Sequence, residues 1–88
     1  MIADVVNNLA NDNLVYHKRL RYCTADVYVS DNYIVLRSYN TFVACIDDKG
    51  NCYDFLRMVY GYTATSAQHI AKFYHDYNAT KKYTYRDV

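Results

Sequence analysis

The chain has no glutamate, no proline, no tryptophan and only two glycines among its 88 residues. It has no apolar run near the length of about eighteen residues that a membrane-spanning helix needs, which excludes a bilayer span. Its opening, MIADVVNNLAND, has neither a positively charged start nor a sustained apolar segment, so it does not read as a secretory signal. Gly50 and Gly61 stand apart and cannot form a phosphate-cradling loop of either common type. Cys23, Cys45 and Cys52 are odd in number and include no CxxC pair. They are expected as free, partly buried thiols in a reducing cytosol. The formal net charge of +1 excludes a strongly basic nucleic-acid binder by bulk electrostatics, while leaving room for a local patch. A soluble cytoplasmic protein is expected.

What the chain does have is tyrosine, twelve of them beside three phenylalanines. Each buried tyrosine hydroxyl needs a partner, and one core of this size cannot supply twelve. Several rings must therefore meet solvent, where tyrosine is the side chain that binding surfaces use. The acids are all aspartate, nine in number, and asparagine occurs eight times. An A/T-rich genome explains part of this bias as well as a binding surface does.

The length fits one domain over residues 1–88. Ile2, Val5, Val6 and Leu9 share one face of a short helix, which Asn11-Asp12-Asn13 ends. Residues 14–22 are ambiguous and carry a dense positive cluster, so residues 1–22 are read as a helix plus a basic segment. Alternation begins at Cys23, with Ala25, Val27 and Val29 on the same face of a first strand. Ser30-Asp31-Asn32 is turn chemistry, and a second strand follows from Tyr33 to Ser38. Tyr39-Asn40 suits a two-residue hairpin loop in which Asn tolerates positive φ. The third strand, Thr41 to Asp47, is apolar enough to be central. After the turn Asp48-Lys49-Gly50-Asn51, a fourth strand runs from Cys52 to about Leu56, with a continuation towards Tyr60. Short turns between consecutive strands predict an antiparallel meander of about four strands over residues 23–60.

Thr65-Ser66-Ala67-Gln68 fits a capping box, and Ala67, Ile70, Ala71, Phe73, Tyr74 and Tyr77 form a helical stripe behind it. A helix over residues 65–78 follows, closed by Asn78 in the left-handed conformation. The tail, residues 79–88, reads as a last strand or a disordered end. The predicted fold is α+β: an antiparallel sheet with the C-terminal helix across one face and the short N-terminal helix beside it.

No catalytic or metal constellation emerges. His69 and His75 lie roughly 240° apart around a helix and face different sides. No spacing matches a zinc site. Cys45 and Cys52 flank one hairpin and read as cross-strand neighbours, which packing explains as well as chemistry does. Asp47-Asp48 sits where a turn wants aspartate anyway. No cofactor is implied. The segment Tyr16-His17-Lys18-Arg19-Leu20-Arg21-Tyr22 sets fixed positive charge between rings, the combination that holds single-stranded nucleic acid. An ordinary solvated strand or loop, the commoner case, accounts for the same residues. Asp47, Asp48 and Asp54 form an opposite patch, and such segregation suits steering towards a charged partner.

The stretches LRSYNTFVACID and YGYTATSAQHIAKFYHDY give the chain a further reading. They resemble a family of small proteins from phages and plasmids of low-G/C bacteria, with the patterns SYNTxVAxID and YTATTxxHIxxF. The resemblance covers roughly residues 33–77, and Ser66 stands where threonine is commoner. The family is a domain of unknown function, so no site residue carries over. What the resemblance implies is context, a small accessory protein of a mobile element. The basic segment lies outside it. The expectation is a non-enzymatic protein that binds and inhibits a host protein or nucleoprotein complex, as inhibitors of CRISPR and other anti-phage defences do. Its contacts would come from Tyr16, Lys18, Arg19, Arg21 and Tyr22, with Tyr60 and Tyr62 as a second location. Direct single-strand binding is one alternative. A minor virion or plasmid-maintenance component that self-assembles, as a homodimer through a sheet edge, is the other.

Overall fold

The computed structural model describes residues 2–87. The elements are α1 (Ile2–Ala10), β1 (Val15–Arg19), β2 (Ala25–Val29), β3 (Tyr33–Ser38), β4 (Thr41–Asp47), β5 (Asn51–Asp54), α2 (Leu56–Val59), α3 (Ala64–Asp76) and β6 (Lys81–Tyr83). The strands form one six-stranded sheet in sequence order. The first five are an antiparallel meander, and β6 lies parallel to β5. The α+β class and the two main helices match expectation; four antiparallel strands become six in a mixed sheet. A parallel neighbour needs a crossover, which α2 and α3 provide.

The fourth strand ends at Asp54 rather than running on towards Tyr60. There Asp54 Oδ1 accepts from the Leu56 N–H at 3.1 Å, and the chain turns into the short α2. Cys45 lies opposite Tyr53, and Cys52 opposite Ile46, so the two cysteines point to opposite faces and are not cross-strand neighbours. Both thiols are buried, and burial, the first cause in each case, raises both pKa values, that of Cys52 to about 12. They are inert packing groups.

Each face of the sheet has its own core. Val27, Leu36, Ala44 and Cys52 pack against Ile70 and Phe73 of α3. Val35, Cys45 and Tyr53, paired across β3, β4 and β5, pack against Ile2, Val5 and Leu9 of α1. The N-terminal helix therefore covers the opposite face instead of lying beside α3. This arrangement explains why β4 is apolar on both sides. A bulge sets Ala44 opposite Leu36 and Phe42 opposite Arg37, which leaves Val43 as the extra residue. Val43 and Ala44 join the α3-side core, while Phe42 packs on the α1 side.

Local chemistry departs from expectation at two ends. The cap of α3 is Thr63, whose Oγ1 accepts from the Ser66 N–H at 3.2 Å, and Thr65 lies inside the helix. In the β3–β4 loop Tyr39, not Asn40, takes the positive φ, 56°. Its N–H donates to the Thr24 carbonyl at 3.0 Å, which offsets part of that cost. The C-terminus of α3 forms as expected. Asn78 is left-handed at φ 53°, the Asn78 N–H reaches His75 O at 3.1 Å, and the Ala79 N–H reaches Tyr74 O at 3.1 Å. That pair of bonds is a Schellman closure.

Candidate interaction surface

β1 is an edge strand, paired only with β2, and all five of its residues are exposed. Its register shifts between Tyr16 and Lys18, so His17 is an extra residue. The shift places Tyr16 opposite Tyr28 and Arg19 opposite Asp26, on one face of the sheet, and Lys18 opposite Val27 on the other. Tyr16 is 55% exposed and packs edge-on against Tyr28 at 5.6 Å. Tyr28 packs edge-on against Phe42 at 5.2 Å, and its hydroxyl accepts from Arg37 Nη1 at 2.8 Å. Tyr16 is thereby held at the margin of a ring ladder that runs into the α1-side core.

The turn after β1 is organised by one apolar residue. Leu20 is buried in the α3-side core, its N–H donates to Ala25 O at 2.9 Å, and its carbonyl accepts from the Cys23 N–H at 3.0 Å. Arg21 follows in the left-handed region at φ 51°. Its guanidinium grips Asp76 at the end of α3 with two hydrogen bonds, Nε to Oδ2 at 2.8 Å and Nη2 to Oδ1. That bond lowers the Asp76 pKa and raises that of Arg21. Arg21 is therefore used within the molecule, while Tyr22 beside it is 99% exposed. Of the basic segment, Tyr16, Lys18, Arg19 and Tyr22 stay exposed along one edge, with Lys18 on the opposite face from Tyr16 and Arg19.

Tyr60 and Tyr62 are exposed in the connector between α2 and α3, around Gly61 at φ 73°. Tyr62 lies under the Arg57 guanidinium, 4.7 Å from centroid to carbon, and Arg57 also covers Tyr85 just past β6. This group belongs to the β6 side of the sheet, the edge opposite β1. The structure does not unite the two sets of expected contact residues. It adds Arg57, Tyr85 and Arg86, which no spacing in the sequence connects. The acidic patch is also partly used up. Asp47 is pinned inside its turn, and Asp54 pairs with Lys82 at 3.8 Å.

A serine–histidine contact does occur. Ser38 Oγ lies 2.8 Å from both Ser66 Oγ and His69 Nδ1. The three residues are 2%, 1% and 4% exposed, between the end of β3 and α3. Burial, then the charge of Lys72, lowers the His69 pKa, which favours the neutral ring. Hydroxyls enclosed to this degree meet no substrate; they satisfy one another inside the helix–sheet interface. His69 thus supplies part of the buried face of α3, while Ala71 of the expected stripe is exposed.

Among the described residues, no helix is long and apolar enough to cross a membrane, and no three His, Cys, Asp or Glu gather as a metal ion would require. No curated protein and no solved structure matches the chain. Its match to a family model runs over residues 4–88, taking in the basic segment that the earlier resemblance leaves outside, and the chain belongs to that family of unknown function (DUF8033).

Proposed function

We propose that this is a non-enzymatic binding protein of a mobile element, which attaches to a host protein or nucleoprotein complex in the bacterial cytoplasm and blocks it. Inhibition of a CRISPR or other anti-phage defence system is the role in view. The observation that carries the reading is β1: an open sheet edge, exposed along its whole length, with Lys18 and Arg19 making no ion pair among the described residues. An edge strand offers backbone donors and acceptors to an incoming strand, and its side chains choose the partner. Here they select for an acidic surface. Tyr16 and Tyr22 supply ring area at low entropic cost. The same charges disfavour pairing of β1 with β1 of a second copy, because like charges would oppose one another.

Single-stranded nucleic acid is the second reading, favoured by the rings of Tyr16 and Tyr28 beside the basic side chains. With Arg21 held by Asp76, two fixed charges remain on β1 and its turn. Two phosphate contacts give a salt slope of only about −1.4 for a single strand, too little to drive binding alone. The experiment is an affinity pull-down from host lysate with and without nuclease, run beside the variant carrying Lys18→Ala and Arg19→Ala. A protein partner that survives nuclease and is lost with the variant supports the proposal. Recovery of nucleic acid alone overturns it in favour of the second reading.

A further inference from the structure

The second cluster of rings and cations lies at the edge opposite β1. A cleft of about 240 Å³ opens there between the end of β5, α2, the start of α3 and the segment after β6. Its polar lining is Asp54, Arg57, Tyr62, Thr84, Tyr85 and Arg86. The Arg57 guanidinium lies 4.7 Å from the centre of the Tyr62 ring and 5.5 Å from that of Tyr85. The Arg86 guanidinium lies 5.6 Å from the same Tyr85 ring, and its Nε donates to the Tyr85 hydroxyl at 3.2 Å. Two guanidiniums thus converge on one ring at the wall of one cleft.

Neither arginine has a carboxylate partner among the described residues. The nearby acids are engaged elsewhere. Asp54 faces Lys82 at 3.8 Å and accepts from the Leu56 N–H. Asp87 accepts from the Thr84 N–H at 2.8 Å. Two exposed guanidiniums held close to one ring, with no carboxylate between them, leave a local excess of positive charge that an anion would offset. Packing against a ring holds a guanidinium in place and leaves N–H groups for an acceptor. The local field is positive enough to act on a neighbour: the Tyr85 hydroxyl pKa is lowered, first by the hydrogen bond from Arg86, then by the charges of Arg86 and Arg57.

We propose that this cleft binds a phosphate group, with Arg57 and Arg86 as the two arms that hold it. Guanidinium forks match phosphate oxygens, and charge-assisted bonds of this kind are the strong ones. The Thr84 hydroxyl is a further donor on the lining. The volume exceeds that of several waters, at about 30 Å³ each, so the group that carries the phosphate has room as well. A small phosphate ester fits this description better than the bare ion. The site is independent of β1, so its failure would leave the binding reading intact.

The test is a titration of the intact protein by NMR, observing the arginine Nε–H signals at constant ionic strength. Inorganic phosphate and ribose 5-phosphate are the probes, with chloride as the blank. Saturable shifts of Arg57 and Arg86 are expected. Arg57→Gln and Arg86→Gln should each weaken binding about tenfold or more, the loss of charge-assisted hydrogen bonds. Arg19→Gln, on the other edge, should leave it unchanged. Both arginines are exposed, and the backbone amide spectrum verifies that the variants are folded. Tighter binding of the sugar phosphate assigns the site to an ester, and equal binding assigns it to the free anion; both uphold the site. Shifts that never saturate, or that match those in chloride, overturn it. Undiminished affinity in the two glutamine variants does so too.

Discussion

In the β4–β5 hairpin one carboxylate serves four donors. Asp47 accepts from the backbone N–H groups of Lys49 and Asn51 at 3.0 and 2.9 Å, from Asn51 Nδ2 at 3.1 Å and from the Tyr53 hydroxyl at 2.9 Å. Burial acts to raise its pKa, but the bonds from Asn51, Tyr53 and Lys49 outweigh it, and the net shift is downward. Tyr53 moves the other way, to about 12, through burial first and then its bond to the Asp47 carboxylate. Both shifts define a window. The depressed Asp47 stabilises the fold above its unfolded pKa, near 3.9, and that contribution is lost as pH falls through the folded value. The raised Tyr53 contributes fully below its unfolded value, near 10, and loses its contribution as pH rises through about 12. Tyr53→Phe should therefore cost about 1.5–3 kcal/mol at pH 7. In urea unfolding the gap to the unaltered protein should narrow as pH falls from about 4 and again as it rises from about 10. A gap that does not vary with pH would mean the hydroxyl does not act through Asp47. At this scale the sequence shows the turn residue but not its use: aspartate at Asp47 follows from turn chemistry, whereas its reach to a ring six residues on depends on strand register.

Among the elements, those with two-fold or helical periodicity were legible and those without were not. β3 and β4 begin and end where alternation and turn residues place them, and α1 shows its stripe at Ile2, Val5 and Leu9. β1 has no buried face, so nothing in VYHKR alternates; only its pairing with β2 makes it a strand. β6 is three residues long; a last strand is one of the two readings of the tail, but its place beside β5 depends on a crossover that no local signal announces. The side on which α1 docks is likewise a tertiary choice, made by Val35, Cys45 and Tyr53. At the start of α3 two threonines compete for one role, and the sequence pattern favours Thr65 because Gln68 completes its box. The backbone instead turns at Thr63, which is extended at φ −130° and ψ 140°. Thr63→Ala should destabilise the protein by about 1 kcal/mol, the usual worth of an N-cap. Thr65→Ala, at an exposed position inside the helix, should stay within about 0.5 kcal/mol. Chemical denaturation of the two variants separates these outcomes, and equal losses would place the cap incorrectly.

The whole chain is drawn into one body, with a radius of gyration of 11.5 Å against about 12 Å for a compact chain of this length. Two cores take most of its large aliphatic residues, leaving Val15, Met58 and Val59 exposed beside the surface rings. Six of the twelve tyrosines are among the exposed large side chains. Composition made that surplus legible, but not its division between two opposite edges, because the edges exist only once the strand order is set. The same applies to charge. Lys18, Arg19 and Arg21 are near neighbours in sequence, yet the fold gives them different work, and substitution should separate them. Changing Lys18 and Arg19 together to alanine should slow association with an acidic partner several-fold while dissociation changes less, since exposed charges act on encounter. The deficit should shrink as added salt screens the attraction. Arg21→Ala should leave the association rate nearly unchanged and instead cost a little stability, because it removes an exposed ion pair with Asp76. Stopped-flow or surface-based kinetics across a salt series, with urea unfolding of the same variants, reads all three quantities. If the double variant binds at the unaltered rate while Arg21→Ala binds slowly, the contact lies in the turn and the end of α3, and β1 is only a guarded edge whose charges keep other strands away.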